Sequence, residues 1–378
     1  MKFSRVFASM ALAGLAGSAY ATNGMNLEGY GPISAGMGGA SMAYDNGNAA
    51  MMNNPATLGL AADGNRLDLA VGMLGPDVAV VGGQSSGGDA YYMPAAGWTR
   101  KNGNLTYGVG MFAQGGMGTE FDMGMDGLPE RSELGVGRLI APLAYNVNSN
   151  LTVGGSVDFV WAMLDLRMAM PASNLFSLIT VPPAGALGGA LGGLLPTDNV
   201  RLDFSDGSDF TGKAKGYGLA GKLGFTYKVN PMLSVGGTYH SKTNLGDLET
   251  STNGASFVVN GGAMTVPGKI TVRDFQWPET YGLGVAVQAT PALMVALDWK
   301  RINWEDVMAN FTMTYSAMGD SVTFALPQNW EDQDVFQIGL SYKATNALTL
   351  RAGASFSDNP IPDATMHYLF PAIVENHY

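Results

Sequence analysis

The stretch YGLAGKLGFTY, residues 217–227, decides the fold class of this chain. Its large side chains recur with a period of two: Tyr217, Leu219, Leu223, Phe225 and Tyr227. The residues between them are small or polar: Gly218, Ala220, Lys222, Gly224 and Thr226. Successive side chains of a β-strand point to opposite faces, so one face is apolar and the other is small or polar. A lipid-facing strand of a membrane barrel shows this pattern, and so does a strand of a soluble sandwich with its apolar face inward.

The same alternation recurs along most of the chain. Leu67, Leu69, Val71 and Met73 share one face, and residues 105–112 alternate in the same way. We predict about eleven strands, at residues 66–82, 91–100, 105–115, 132–148, 151–167, 211–228, 233–249, 268–289, 293–313, 331–343 and 347–358.

An odd strand number is unusual, because single-chain bacterial barrels have an even number. Residues 371–378 contain Glu375, Asn376 and His377 in succession, which breaks the alternation of a closing strand. An open edge at membrane depth leaves backbone groups unpaired. We therefore expect about eleven strands plus a partial one, in a chain that stops before its closing strands.

The predicted connections alternate between short turns and long loops. The short turns contain Asn, Pro and Ala and lie at residues 146–150, 228–232, 289–292 and 343–347. The long loops lie at residues 168–210, 246–266, 312–332 and 357–371. Short periplasmic turns and long outer loops are typical of outer-membrane barrels. Aromatic residues near strand ends, among them Trp98, Trp299 and Trp304, fit the aromatic girdles of such barrels.

Composition agrees with a transmembrane antiparallel β-barrel. Only 13% of the 378 residues are charged and 53 are glycine, whereas ordinary soluble domains are about 25% charged. The net charge of −11 argues against nucleic-acid binding. The fold class is therefore all-β.

The N-terminus has the pattern of a secretory signal peptide at residues 1–21. Lys2 and Arg5 precede an apolar run, residues 6–15, and Ala19-Tyr20-Ala21 is a small-x-small cleavage site. The chain contains no cysteine, so this exported protein has no disulfides to stabilise it.

One stretch could be mistaken for a membrane helix. Residues 175–196, LFSLITVPPAGALGGALGGLLP, carry no charge, and their length suffices to cross a bilayer. Pro182 and Pro183 interrupt the stretch, and its glycines weaken a helix. We interpret it as an outer loop that is partly helical, whose apolar surface marks a binding site.

The sequence offers little for catalysis. His240, His367 and His377 lack metal-ligand spacing, and no nucleotide-binding or hydrolase motif occurs. The aspartates of residues 203–209 miss the EF-hand spacing, which favours a solvated acidic loop. We expect neither an enzyme, nor a metal, nor a cofactor.

The segment GPISAGMGGASMAYDNGNAAMMNNPATLGL, residues 31–60, resembles the start of FadL-type outer-membrane transporters. That family includes fatty-acid transporters and toluene and xylene uptake proteins. The matching positions are Gly36, Gly38 or Gly39, Ala40, and Asn54-Pro55-Ala56. Later stretches at residues 151–167, 275–287, 297–307 and 336–363 are also similar.

The resemblance implies a fourteen-stranded barrel with an N-terminal hatch in its lumen. Residues 22–63 would form the hatch and residues 64–378 the barrel. The implied hatch residues are Gly36, Gly39, Ala40, Met51, Met52, Asn54, Pro55 and Ala56. Flexible methionines suit an irregular apolar cavity.

The resemblance also implies transport of long-chain fatty acids or other hydrophobic molecules. Cargo would be captured in an outer groove and released sideways after the hatch moves. The groove would comprise Leu175, Phe176, Leu178, Ile179, Leu187 and Leu191, and an inner pocket Phe159, Trp161 and Met163, if register turns them inward. Arg167 is the candidate partner of a fatty-acid carboxylate, with Arg138 and Lys222 as further basic residues.

The sequence is also compatible with other functions. Because basic residues are sparse, neutral aromatic hydrocarbons are an alternative cargo. A general diffusion porin and a structural barrel are alternatives of a different class. The expected location is the outer membrane of a Gram-negative bacterium, with lipid and lipopolysaccharide around a monomer.

Overall fold

The computed structural model describes residues 22–80, 83–372, 376 and 377. The predicted signal peptide lies outside the described residues. The first strands are β1 (Thr22–Asn23), β2 (Asn26–Leu27), β3 (Gly64–Leu74), β4 (Tyr91–Asn102), β5 (Leu105–Phe121), β6 (Glu130–Asn146), β7 (Leu151–Pro171), β8 (Ile179–Val181), β9 (Asn199–Phe204), β10 (Ala214–Asn230) and β11 (Leu233–His240). The remainder are β12 (Asn244–Leu245), β13 (Leu248–Glu249), β14 (Ala255–Val259), β15 (Met264–Arg273), β16 (Thr280–Gln288), β17 (Leu293–Ile302), β18 (Asn310–Ala317), β19 (Asp320–Pro327), β20 (Gln333–Lys343), β21 (Thr349–Ser357) and β22 (Asn376–His377).

Helices are few and short in the described part of the chain. The α-helices are α1 (Gly31–Ala35), α2 (Ala172–Leu178) and α3 (Gly185–Gly192), and the 3-10 helices are Asn48–Met51, Pro55–Leu60 and Asn260–Gly262. No helix within these residues is long and apolar enough to span a bilayer. Helix α2 overlaps the start of the stretch 175–196, and helix α3 lies within it. This agrees with the interpretation of the stretch as a partly helical loop.

An antiparallel meander forms the body of the protein. Among the described residues, eleven strands pair in the order β3, β4, β5, β6, β7, β10, β11, β16, β17, β20 and β21. Each predicted strand range overlaps one of them. Short turns connect strands at one end of the meander and long segments at the other. The all-β prediction is confirmed, while the expectation that closing strands are missing stays a prediction.

The outward face of the meander is apolar and exposed. Leu219 is 57% exposed and Leu223 66%, whereas Lys222 between them is 2% exposed. The same holds on β3, where Leu69 is 74% exposed. A soluble sandwich would bury these large side chains. Apolar residues outside and polar residues inside are the arrangement of a lipid-facing barrel wall.

Residues 22–63, here called the inner segment, lie inside the curve of this wall. The inner segment contacts the first strand of the meander through Asn48, whose N–H donates to Asp68 over 2.6 Å. It contacts the middle through Asn54, which donates to the Phe225 carbonyl over 3.0 Å. It contacts the last long strand where Gly38 lies against Ala354. One short segment can touch both ends and the middle of a sheet only if the sheet curls around it.

Three predicted strands are interrupted, contrary to expectation. The range 233–249 divides into β11, β12 and β13. The range 268–289 divides into β15 and β16, and the range 293–313 divides into β17 and β18. Between β15 and β16 the chain turns at Asp274, whose φ is 50°, and passes Pro278, which has no N–H to donate to the ladder. Strands β15 and β18 leave the wall and pair with each other. Together with β8, β9, β14 and β19 they build an outer lobe.

The interruption also corrects the predicted position of Trp304. The sequence places it in an interfacial girdle, but its side chain is fully buried. It lies in the connection after β17, where the chain has turned away from the lipid-facing wall. Trp98 is 36% exposed on the outward face of β4, as the girdle prediction requires.

Candidate functional site

The inner segment owes its compact irregular path to turn-forming residues. Asn54 caps the 3-10 helix Pro55–Leu60 by accepting the Ala56 N–H over 3.1 Å. The same side chain donates to the Met42 carbonyl over 2.8 Å. Met51 and Met52 are buried and pack in a cluster with Phe112. The stretch MMNNPATLGL thus fills the interior of the wall rather than extending it as a strand.

Glycines on the inward face of the wall leave space for the inner segment. A Cβ atom at Gly154 would lie 2.7 Å from the Ala56 nitrogen. At Gly224 it would collide with the Asn54 amide, and at Gly236 with the Met42 carbonyl. The glycines that alternate with apolar residues in the sequence therefore permit close backbone contact with the inner segment.

Polar side chains on β17 and β20 hold the inner segment in place. The Asp298 carboxylate accepts the Ser41 N–H over 2.5 Å and the Met42 N–H over 3.0 Å. Lys300 Nζ donates to the carbonyls of Glu28 and Gly39 over 3.2 and 3.3 Å, and Gln337 on β20 donates to the Glu28 carbonyl over 2.9 Å. Burial raises the pKa of the Glu28 carboxyl to about 7, although nearby Lys300 acts in the opposite direction.

A charged cluster is buried deeper in the interior. Arg138 Nη1 lies 2.9 Å from Asp158 Oδ2, and Lys222 Nζ pairs with the same oxygen. Ser156 donates to the other carboxylate oxygen over 2.6 Å, and Arg138 also donates to Gln114. All three charged side chains are at most 2% exposed. Asp158 is thus the shared counterion of two cations.

Three tryptophans meet above the start of the inner segment. The ring centroids of Trp277 and Trp304 lie 5.8 Å apart and those of Trp304 and Trp330 5.1 Å apart, both edge to face. Trp277 Nε1 donates to Asn26 Oδ1 over 2.8 Å. A Cβ at Gly24 would lie 2.9 Å from the Trp304 ring. The aromatic cluster therefore rests directly on Gly24 to Asn26.

The wall is split beside these residues. Strands β4 and β5 pair from Asn102↔Leu105 to Ala95↔Phe112, and beyond Phe112 strand β5 continues beside β6. Residues 91–94 of β4 and 115–119 of β5 thus face a gap, where β5 has a bulge between Ala113 and Gly115. Here β2 replaces β4 as the partner, with Asn26 opposite Gly115 and the Gly116 N–H donating to the Met25 carbonyl over 3.1 Å. The gap ends at Glu120, whose carbonyl accepts the Gly87 N–H over 2.8 Å and whose own N–H donates to Ser86 Oγ over 3.0 Å.

A cavity of about 830 Å³ lies at this gap. Its apolar lining is rich in aromatic and methionine side chains: Tyr91, Tyr92, Met93, Met111, Phe112, Met117, Trp161, Met163 and Phe210. Gly24 of the inner segment also lines it. Among the described residues that line it, the charged ones are all acidic: Asp77, Glu133 and Asp209. The cavity can therefore hold an apolar molecule, and its described lining offers no basic side chain to pair with an anion.

The predicted groove residues divide into two groups in the outer lobe. Leu175, Leu187 and Leu191 are buried in the core of the lobe. Phe176 is 37% exposed, and Leu178 and Ile179 are partly buried against that core. The partly exposed members lie at the surface of the lobe.

The predicted pocket residues lie on the outward face of β7. Phe159 is 43% exposed and stacks on Tyr217 with centroids 6.0 Å apart. Trp161 and Met163 share its face and line the cavity at the gap. The alternate residues Val160 and Ala162 are the buried ones. These three side chains therefore face away from the inner segment, because register sets the face of every residue in a strand.

Arg167 lies on the outward face of β7 as well. Its neighbours Leu166 and Met168 are buried, and its guanidinium lies 3.6 Å from the Asp203 carboxylate. It therefore does not point into the interior, where Arg138 and Lys222 are found instead.

Several residues of this site carry no signal in the sequence that would single them out. The tryptophans converge from separate connections, and only Pro278 in FQWPET indicates a break in a strand. The only local indication of the bulge is the glycine pair Gly115-Gly116, which is a weaker indication than a proline.

The acidic loop forms no shared site. Asp203 pairs with Arg167, Asp206 accepts from Thr211 over 2.9 Å, and Asp209 pairs with Arg131. Within the described residues, oxygens of Glu120, Glu133 and Asp209 come within 4.8 Å of one another. The Arg131 guanidinium is paired with all three, so a fixed cation already balances this cluster.

Replacing Asp298 by alanine is expected to loosen the inner segment. The N–H groups of Ser41 and Met42 would lose their acceptor, at about 1–3 kcal/mol for each buried donor left unpaired. We expect a higher ion conductance in planar bilayers than for the unmodified protein. Asp334→Ala is the matched control, because Asp334 forms an ion pair with Arg301 on the outward face. Equal conductance of Asp298→Ala and Asp334→Ala would contradict the proposal that Asp298 fixes the inner segment to the wall.

Comparison with known proteins identifies the family. The profile of the outer membrane protein transport protein family (OMPP1/FadL/TodX) matches residues 7–373. The Pseudomonas putida toluene transporter TodX is 33% identical, with a TM-score of 0.78 over 94% of this chain and 88% of that chain. The Ralstonia pickettii toluene transporter TbuX is 32% identical, with a TM-score of 0.76 over 88% of this chain and 87% of that chain.

A further relative matches only a short region. It is an uncharacterized protein in the phosphoenolpyruvate carboxykinase gene 5' region of Chlorobium limicola, 54% identical over 63 residues. This match covers 16% of this chain and 31% of that protein, so the chain spans less than a third of that relative's length. The match of the family profile to nearly the whole chain is decisive: the chain belongs to the OMPP1/FadL/TodX family of outer-membrane transport proteins.

Proposed function

We propose that this protein carries neutral hydrophobic molecules, monoaromatic hydrocarbons above all, and releases them sideways through the gap between β4 and β5. The observation that carries the proposal is the cavity of about 830 Å³ at the gap, lined by aromatic and methionine side chains. An apolar molecule that leaves there enters lipid directly. It avoids exposure to water, which costs ~25 cal/mol per Å² of apolar surface.

The first step is capture at the outer lobe. Phe176, Leu178 and Ile179 offer partly exposed apolar surface there. The rings of Trp277, Trp304 and Trp330 are fully buried beneath the lobe and packed edge to face. Cargo therefore reaches the cavity past this cluster only when the rings move apart, and aromatic rings can then contact a flat aromatic molecule.

The second step is movement of the inner segment, which acts as a hatch. Gly24 to Asn26 separate the aromatic cluster from the cavity, since Gly24 contacts Trp304 and also lines the cavity. Two hydrogen bonds, Gly116–Met25 and Trp277–Asn26, attach residues 24–26 to β5 and to the aromatic cluster. Each hydrogen bond contributes about 1 kcal/mol net, so a local displacement requires far less free energy than unfolding the wall. The hatch extends over residues 22–63 and includes Gly36, Gly39 and Ala40.

Neutral cargo is favoured over fatty acids by the charges along this route. A buried carboxylate needs a basic partner, but Arg167 faces outward and is paired with Asp203. Arg138 and Lys222 are bound to Asp158, are at most 2% exposed and do not line the cavity at the gap. No basic side chain is among the described residues that line the cavity, and two of its acidic residues, Glu133 and Asp209, already pair with Arg131. The toluene transporters TodX and TbuX among the similar structures support the same cargo class.

A water-filled porin is the less favoured alternative, because the inner segment occupies the interior and buries its polar side chains. The exposed apolar outward face supports surroundings of lipid and lipopolysaccharide. The whole route lies within one chain, which supports a functional monomer.

The cargo is tested by uptake of labelled toluene and labelled oleate into cells that carry the full chain, compared with Arg167→Ala. We expect rapid toluene uptake, little oleate uptake, and no effect of the substitution, because Arg167 lies on the outward face. Oleate uptake that falls when Arg167 is removed would refute neutral cargo and restore the fatty-acid assignment. Absence of uptake of either compound would return the porin and structural barrel to consideration.

A further inference from the structure

We propose that Phe210, held by a strap at residues 205–213, limits the size of cargo that leaves through the gap. This inference rests on the proposed function and adds a residue that determines specificity. The strap connects β9 to β10 and covers Asp165 on the outward face of β7.

Both ends of the strap are fixed to one buried carboxylate. Asp165 on β7 is fully buried although it shares the outward face with Arg167. It accepts hydrogen bonds from Ser205 Oγ over 2.8 Å, the Asp206 N–H over 2.9 Å and the Lys213 N–H over 2.7 Å. A carboxylate that accepts three hydrogen bonds is a strong anchor, because each bond to the charged group adds to the attachment of the strap.

The tip of the strap is fixed to the neighbouring strand β6. Arg131 Nη2 donates to the Ser208 carbonyl over 2.8 Å and lies 3.3 Å from the Asp209 carboxylate. At the returning end, a Cβ on Gly212 would lie 2.7 Å from the backbone of Leu164, so the strap lies directly on β7. The strap therefore crosses β6 and β7 close to the gap.

Phe210 lines the cavity, and most of its side chain is exposed. Residues 209–212 line the cavity, on the same face of the wall as Gly135, Gly137 and Trp161. The Phe210 side chain is 66% exposed, so the fold does not use it as core. A volume of about 830 Å³ would admit molecules far larger than one aromatic ring. The anchored strap places the Phe210 ring beside that volume.

The test compares uptake of toluene with uptake of the bulkier biphenyl by cells carrying the full chain. Phe210→Ala is expected to raise the biphenyl-to-toluene ratio of initial rates roughly tenfold, the size of discrimination that a single pocket contact achieves. Phe210→Trp is expected to lower that ratio. Phe336→Ala is the matched control, since Phe336 is 57% exposed on β20 and does not line the cavity.

The outcomes separate this inference from the proposed function. An unchanged ratio in both Phe210 variants, with normal toluene uptake by the wild type, would overturn the role of Phe210 and leave the transport proposal intact. Wild-type cells that take up neither compound would overturn the transport proposal itself. A ratio that rises equally in Phe336→Ala would also overturn the inference, because the effect would then not depend on the strap.

Discussion

Replacing Gly135 by phenylalanine is expected to reduce toluene uptake by roughly tenfold or more, because the new ring fills the cavity at the gap. Gly135 lies on the outward face of β6 between the buried residues Leu134 and Val136. It lines the cavity, and a Cβ placed there meets no atom within 4 Å. The substitution therefore adds bulk where cargo would pass without forcing the wall apart. The measurement is the initial rate of toluene uptake at matched protein levels in the outer membrane.

Gly221→Phe is the control for this substitution. Gly221 faces outward on β10 between Leu219 and Leu223 and does not line the cavity. A Cβ added to Gly221 would have the Ser156 carbonyl oxygen as its nearest neighbour, at 3.4 Å. Toluene uptake by Gly221→Phe should equal that of the unmodified protein. Equal and normal uptake by both variants would mean that cargo does not leave through the gap.

Replacing Asp158 by alanine is expected to cause the largest loss of stability. Arg138 and Lys222 would remain in the interior without a counterion, and breaking a buried ion pair on one side costs about 3–5 kcal/mol. Ser156 and Gln114 are neutral, so they could not balance the positive charges of Arg138 and Lys222. The measurement is the temperature at which the folded protein converts to its unfolded mobility in detergent gels.

Asp203→Ala provides the comparison for a partly exposed pair. Asp203 lies 3.6 Å from Arg167, and both side chains are about one-third exposed. Such pairs contribute about 0–1 kcal/mol, so the transition temperature should change little. Similar transition temperatures for the two variants would show that the Arg138–Asp158–Lys222 cluster is not an internal support.

Much of the fold could be predicted because it depends on local alternation. The stretch at residues 217–227 predicts which side chains face outward, and the exposures of Leu219 and Lys222 agree. The short turns follow from Asn and Pro, which shape the backbone locally. The prediction that residues 22–63 form a hatch rests on the resemblance and not on periodicity.

The site could be predicted only in part because it depends on register and on distant contacts. Alternation places Phe159, Trp161 and Met163 on one face of the strand but does not tell which face is inward. In the structure all three side chains face outward. The bulge between Ala113 and Gly115 reverses the alternation within β5: Phe112 is buried before it and Thr119 after it. No local pattern reveals that Trp277, Trp304 and Trp330 meet.

The central claim is that cargo leaves through the wall, and photolabelling tests it most directly. Outer membranes that contain the full chain would be illuminated with 4-azidotoluene, and labelled peptides would be identified by mass spectrometry. We predict labels on residues that line the cavity, such as Met117, Trp161 and Met163. Labels confined to residues 55–61, near the short-turn end where Asn146 contacts Gly59, would contradict the account and indicate exit toward the periplasm.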